Sequence, residues 1–79
     1  METSSTGWVS ANLRAARARS GITQAELAQR SGVSANSIAR FERDERDPRV
    51  GQLIRIALAL EVRPSSLIDK VESASEDAA

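Results

Sequence analysis

The chain contains no cysteine, no histidine and no tyrosine among its 79 residues. Without cysteine there is neither a disulfide framework nor a thiolate metal site. Without histidine the commonest general base and the commonest metal ligand are both missing. No apolar run approaches the roughly 20 residues that a membrane-spanning helix needs. Residues 1–7 lack the basic-then-apolar pattern of a signal peptide. A glycine-rich phosphate loop is absent too, and the length of one small domain leaves no room for a deep pocket or a ligand-sensing domain. The expectation is a soluble, cytoplasmic, non-enzymatic protein with no metal, no cofactor and no small-molecule ligand. A chain this short buries a modest core, is marginal as a monomer and gains from a partner.

The formal net charge is zero, but the charge is unevenly spread. Between Trp8 and Ile68 lie ten arginines and six acids, a net of +4. The other acids are Glu2 in front and Asp69, Glu72, Glu76 and Asp77 behind. Every basic residue of the central segment is arginine, the side chain suited to bidentate contact with phosphate or guanine. On composition alone, an ordinary solvated surface accounts for this as well as a polyanionic partner does.

Residues 1–7 are rich in serine and threonine, and residues 72–79 hold only small and acidic side chains; both read as disordered. The domain is expected over residues 8–71. Five short helical patterns fill it, with no credible strand and no internal repeat. The first covers about residues 9–20, with Val9, Leu13, Ala16 and Arg17 on one face. Ser20-Gly21 ends it on a left-handed cap. The second covers residues 24–31. Thr23-Gln24-Ala25-Glu26 is a capping box, Leu27, Ala28 and Ser31 face inward, and Gly32 breaks the helix. The third follows Ser34, a good N-cap, and runs to about Arg43. Ile38, Phe41 and Glu42 share its inner face, while Asn36, Arg40 and Arg43 lie opposite. After a charged loop, Asp44 to Pro48, the fourth helix starts at Arg49 or Val50 and ends at Leu60. Leu53, Ile56, Ala57 and Leu60 make its stripe, and Ile54 and Leu58 widen it, so this helix is central or also lines an interface. Pro64 opens a short last helix, expected to end near Val71.

The segment from the second helix to the third is the informative one. Gly32 supplies the positive φ of a tight turn, Val33 buries beneath it, and the small Ala28 lets two helices approach. This is how a helix-turn-helix is built. The residues Thr23 to Ala28, Ser31 to Ser34, Ile38 to Arg43, Asp47-Pro48 and Leu53 to Leu60 together resemble the phage repressor/Cro-like (XRE-type) helix-turn-helix family. The resemblance covers about residues 9–68. It implies an all-α, compact five-helix bundle like the lambda repressor, with the third helix in the major groove of double-stranded DNA. Carried over by position, it implies base contacts from Ala35, Asn36 and Arg40. It implies backbone contacts from Gln24, Ser34, Ser37 and Arg43. The chemistry is consistent with this. Asparagine bonds adenine at two points, arginine bonds guanine at two points, and alanine meets a thymine methyl.

Two charges fall on inner faces, Arg17 beside Leu13 and Glu42 beside Ile38 and Phe41. A lone buried charge costs several kcal/mol, so pairing is the simplest solution; frayed helix ends that let both reach water are the alternative. The family resemblance implies the same bridge.

Several positions depart from the family pattern. Arg43-Asp44 stands where an Asn-Gly pair is common, and Asp44, Glu45 and Asp47 bring negative charge to the loop. They either weaken non-specific binding or pair with Arg46 and Arg49. Arg49 stands where a Ser or Thr cap is usual, which leaves Asp47 as the expected cap. Glu61 stands where glycine is usual, so a corner of different build is expected.

Repressors of this shape bind as dimers to half-sites about one DNA turn apart. The apolar residues left over for a homodimer are Ile54 or Leu58, Val62, Leu67, Ile68 and Val71, although Val62 and Leu67 equally well close the core. Trp8 either caps the core or adds to an interface. The expected function is a sequence-specific regulator, such as a phage-type repressor or a restriction-modification controller. The alternative is an interaction module or antitoxin-like partner protein using the same fold.

Overall fold

The computed structural model describes residues 7–69. They form five helices: α1 (Gly7–Ser20), α2 (Gln24–Ser31), α3 (Ala35–Glu42), α4 (Val50–Leu60) and α5 (Pro64–Ile68). There is no strand among the described residues. α2 packs on α3 and α4, and α1 packs on α3, α4 and α5. The largest fully buried side chains are Leu13, Leu27, Ile38, Phe41, Ile56 and Leu67, drawn from all five helices. Among the described residues, no helix is long and apolar enough to cross a membrane.

The way the helices end decides how they pack. Thr23 caps α2, its side chain accepting from the Glu26 amide while the Glu26 carboxylate accepts from the Thr23 amide at 2.8 Å. Gly32 closes α2 at φ 77°, and buried Val33 follows. α1 ends the same way at Gly21, φ 72°. There the Gly21 amide bonds the Ala18 carbonyl and the Ile22 amide that of Arg17, and Ile22 is buried.

Two further ends repeat this turn without glycine. After α3, Asp44 takes φ 60°; its amide bonds the Phe41 carbonyl and the Glu45 amide bonds the Arg40 carbonyl. After α4, Glu61 takes φ 60°, with Glu61 bonded to Leu58 and Val62 to Ala57. Both are the paired hydrogen bonds of a Schellman motif. The corner at Glu61 therefore keeps the left-handed build, contrary to the expectation that it would differ. The strain of a left-handed L-residue, about 1–2 kcal/mol, is offset by satisfied carbonyls and by Val62 packing half-buried against the core.

Other boundaries also differ from expectation. α1 begins two residues early, at Gly7, whose carbonyl accepts from the Ser10 hydroxyl at 2.9 Å. Arg49 is the residue at the α4 cap, and the Gln52 side chain accepts from its amide at 2.9 Å. α5 stops at Ile68 because Asp69 turns extended. The side-chain amide of Asn12 takes up the carbonyls of Leu67 and Asp69 there, at 3.0 and 2.7 Å. Leu67 is only 1% exposed and Val62 packs half-buried against the core, the core-closing placement the sequence left open for both. Trp8 is half-buried against the same core and donates its indole N–H to the Ile68 carbonyl. Val71 lies outside the described residues.

Candidate nucleic-acid interface

α3 presents two edges of opposite character. Its inner edge carries Ile38 and Phe41, both fully buried. The outer edge carries Ala35, Asn36 and Arg40, all exposed. Ser34 caps the helix: its hydroxyl oxygen accepts from the Ser37 amide at 3.1 Å, and the two hydroxyls bond each other at 3.0 Å. Exposed Ser34 and half-buried Ser37 thus hold the leading end of the helix while remaining beside its outer edge.

The trailing end is held by three donors from two other helices. Glu42, the last residue of α3, is 4% exposed. Arg17 of α1 grips its carboxylate bidentately, Nε to Oε2 at 2.6 Å and Nη2 to Oε1 at 2.9 Å. Gln24, the first residue of α2, adds Nε2 to Oε1 at 2.9 Å. A third Arg17 N–H goes to the Ile22 carbonyl at 3.0 Å, fixing that guanidinium to the α1–α2 turn. Arg14 donates to the Glu42 backbone carbonyl. Burial pushes the Glu42 carboxyl up, but the hydrogen bonds from Arg17 and Gln24 and the charges of Arg17 and Arg14 outweigh it and hold the group below the usual carboxylate range.

The structure brings Arg17 and Glu42 together and draws in Gln24, so a phosphate contact from Gln24 would use its remaining N–H. Arg43, expected at phosphate, is exposed and bound bidentately to Glu45 at 2.8 and 3.1 Å. The pairing expected of the loop acids with Arg46 and Arg49 is therefore taken, for Glu45, by Arg43. Sequence reasoning missed Arg14 and Asn12. The spacing of Arg14 and Arg17, three apart and so neighbours on a helix surface, was the available signal for the first. For the second it was an asparagine, a poor helix former, beside core residue Leu13. A further basic feature is an open hollow lined by Arg49, Gly51, Gln52 and Arg55 at the start of α4.

A capped helix, a glycine-closed turn and a second helix with a polar outer edge define the helix-turn-helix class. The chain belongs to the helix-turn-helix family of the XRE type, whose model matches residues 13–67. It is 33% identical over 60 residues, 76% of this chain, to the HTH-type transcriptional regulator ImmR of Bacillus subtilis. The chain spans about half of that relative, 47% of its length. Among solved structures it is similar to the restriction-modification controller protein C.AhdI of Aeromonas hydrophila, at TM-score 0.74 and 28% identity, covering 76% of this chain and 91% of that one. It is also similar to the DNA-binding domain of the P22 c2 repressor, at TM-score 0.72 and 33% identity, covering 91% and 90%.

Proposed function

We propose that the chain is a transcriptional regulator that binds double-stranded DNA sequence-specifically, reading a pseudo-palindromic operator as a homodimer. The observation that carries this is the outer edge of α3, where Ala35, Asn36 and Arg40 stand exposed on a helix fixed at both ends. Asn36 and Arg40 are the base-reading pair, and Ala35 is suited to a thymine methyl. Ser34, Ser37, Gln24 and Arg43 serve the sugar-phosphate backbone on either side. Likeness to a phage repressor domain and to a restriction-modification controller supports the same role.

The second half-site calls for a second copy of the chain. Ile54 and Leu58 stay exposed on α4, Val50 extends their row by one turn, and Ile68 is exposed on α5. Residues four apart share a helix face, so Val50, Ile54 and Leu58 form one apolar row whose occupant is the same row of the partner.

Selection of bound sites from random duplexes, at stated salt, defines the operator. Arg40→Ala and Asn36→Ala should then each cost about 1–3 kcal/mol of discrimination at their own base pair while the fold, followed by circular dichroism, is unchanged. A folded double variant that grips the selected operator as tightly and selectively as wild type overturns the proposal.

A further inference from the structure

The Schellman turn that ends α3 does more than cap it. By bonding the Glu45 amide to the Arg40 carbonyl at 2.9 Å, it fixes the backbone of Glu45 directly past the recognition helix. The Glu45 carboxylate then meets the Arg43 guanidinium with two parallel hydrogen bonds, at 2.8 and 3.1 Å. This fork-on-fork geometry is the one arginine uses on a phosphate. Both side chains are about half exposed, 59% and 47%, so the pair stands open to an incoming strand. Arg40 lies close enough for its charge to act on the same carboxylate, which Arg43 and Arg40 together hold below its usual range.

We propose that Glu45 is a built-in phosphate surrogate: it occupies Arg43 in the free protein and must be displaced before Arg43 engages a DNA backbone, which weakens capture of arbitrary duplex. The inference rests on the DNA-binding reading above and adds to it a residue that restrains non-specific affinity. Three features combine here: a fixed backbone, a matched bidentate geometry and a position at the end of the outer edge of α3. Energetically the exposed pair contributes little to folding, so its removal leaves the domain intact. Its effect falls on the number of phosphates the protein neutralises. One more phosphate contact steepens the dependence of log affinity on log salt by about 0.9, which amounts to roughly eightfold at 0.1 M relative to 1 M salt.

The test is a salt titration of the full chain against a labelled random-sequence duplex, read by fluorescence anisotropy, for wild type, Glu45→Gln, Arg43→Ala and the double variant. Glu45→Gln should bind about five- to tenfold tighter at 0.1 M salt, with a slope steeper by about 0.9 per protomer and an advantage that fades toward 1 M. In the Arg43→Ala background the same substitution should change neither affinity nor slope. Equal affinity and slope for wild type and Glu45→Gln overturn the inference. So does a gain that survives without Arg43, because long-range charge would then suffice. A wild-type protein that binds no duplex at low salt overturns the DNA-binding reading itself, a result separate from either of these.

Discussion

Glu42→Gln is the sharpest perturbation the structure offers. Glutamine keeps the volume of glutamate, so no cavity opens. It replaces one of two acceptor oxygens with a donor, while Arg17 and Gln24 present three N–H groups to that carboxylate. At least one donor then faces another donor. Breaking a buried pair by removing one partner costs about 3–5 kcal/mol. Arg17 retains 23% side-chain exposure and can hydrate, which brings the expected loss to about 2 kcal/mol. In a domain of this size each kcal/mol moves Tm by about 4–8 °C, so Tm should fall by about 8–16 °C near neutral pH. The pH dependence has a definite sign. The folded Glu42 carboxyl lies below its ordinary value, so its stabilisation is full above the unfolded value of about 4.3 and disappears as pH drops through the folded value. The difference in Tm between wild type and variant should therefore be largest near neutrality and close in strong acid, where wild-type Glu42 is protonated as well. Melting followed by far-ultraviolet circular dichroism across pH measures both effects. Duplex binding at a temperature well below both melts should also weaken, since the end of α3 is no longer fixed. An unmoved Tm at neutral pH together with unchanged binding, or a difference that persists unaltered in acid, refutes the argument.

Glu61→Gly should stabilise the domain. It removes left-handed strain of about 1–2 kcal/mol and returns about 0.5–1 kcal/mol in backbone entropy. Tm should rise by a few degrees; a fall would mean that Glu61 makes a contact worth more than the strain. Leu58→Asp tests the second copy. Leu58 is 70% exposed, so the monomer's stability should change by no more than about 0.5 kcal/mol. Wild-type Tm should rise with protein concentration and light scattering should report a dimer, and both should be lost in the variant. A wild type that stays monomeric at every concentration refutes the dimer.

Much of the fold is legible in the sequence because three kinds of local rule agree. The Thr23/Glu26 box starts α2, Gly32 ends it, and Ser34 starts α3; each is a residue whose chemistry fits one place in a helix. The inner stripe of α4, Leu53, Ile56, Ala57 and Leu60, follows from period alone and is buried throughout. The errors fall where tertiary contacts outrank those rules. Propensity disfavours Glu61 and Asp44 at positive φ, yet the carbonyls they satisfy and the burial of Val62 hold the turns in place. Asn12 ends α5 from 55 residues away; an asparagine beside Leu13 stands out in the sequence, but its partners emerge only from the packing. Leu67 looked equally suited to core and interface, and only the packing of α5 on α1 and α4 separates the two.

The site divides along the same line. Two charges on inner faces were enough to point to Arg17 with Glu42, because an unpaired charge there is too costly to leave alone. For Arg14 the sequence offered only its spacing from Arg17, and for Gln24 no local signal, since each joins the cluster only once three helices are packed. That convergence bears on how such a small domain would read DNA in the proposed function. Base recognition needs side chains held within a fraction of an ångström, and an eight-residue helix is too short to be rigid by itself. Here rigidity is imported. Ser34 fixes the first turn of α3, Ile38 and Phe41 fix its inner edge, and α1 and α2 fix its last residue through Glu42. Stability of the fold and orientation of the outer edge of α3 therefore share one set of contacts. On the proposed function, a change at Glu42 should alter both, whereas a change at Asn36 or Arg40 should alter recognition alone.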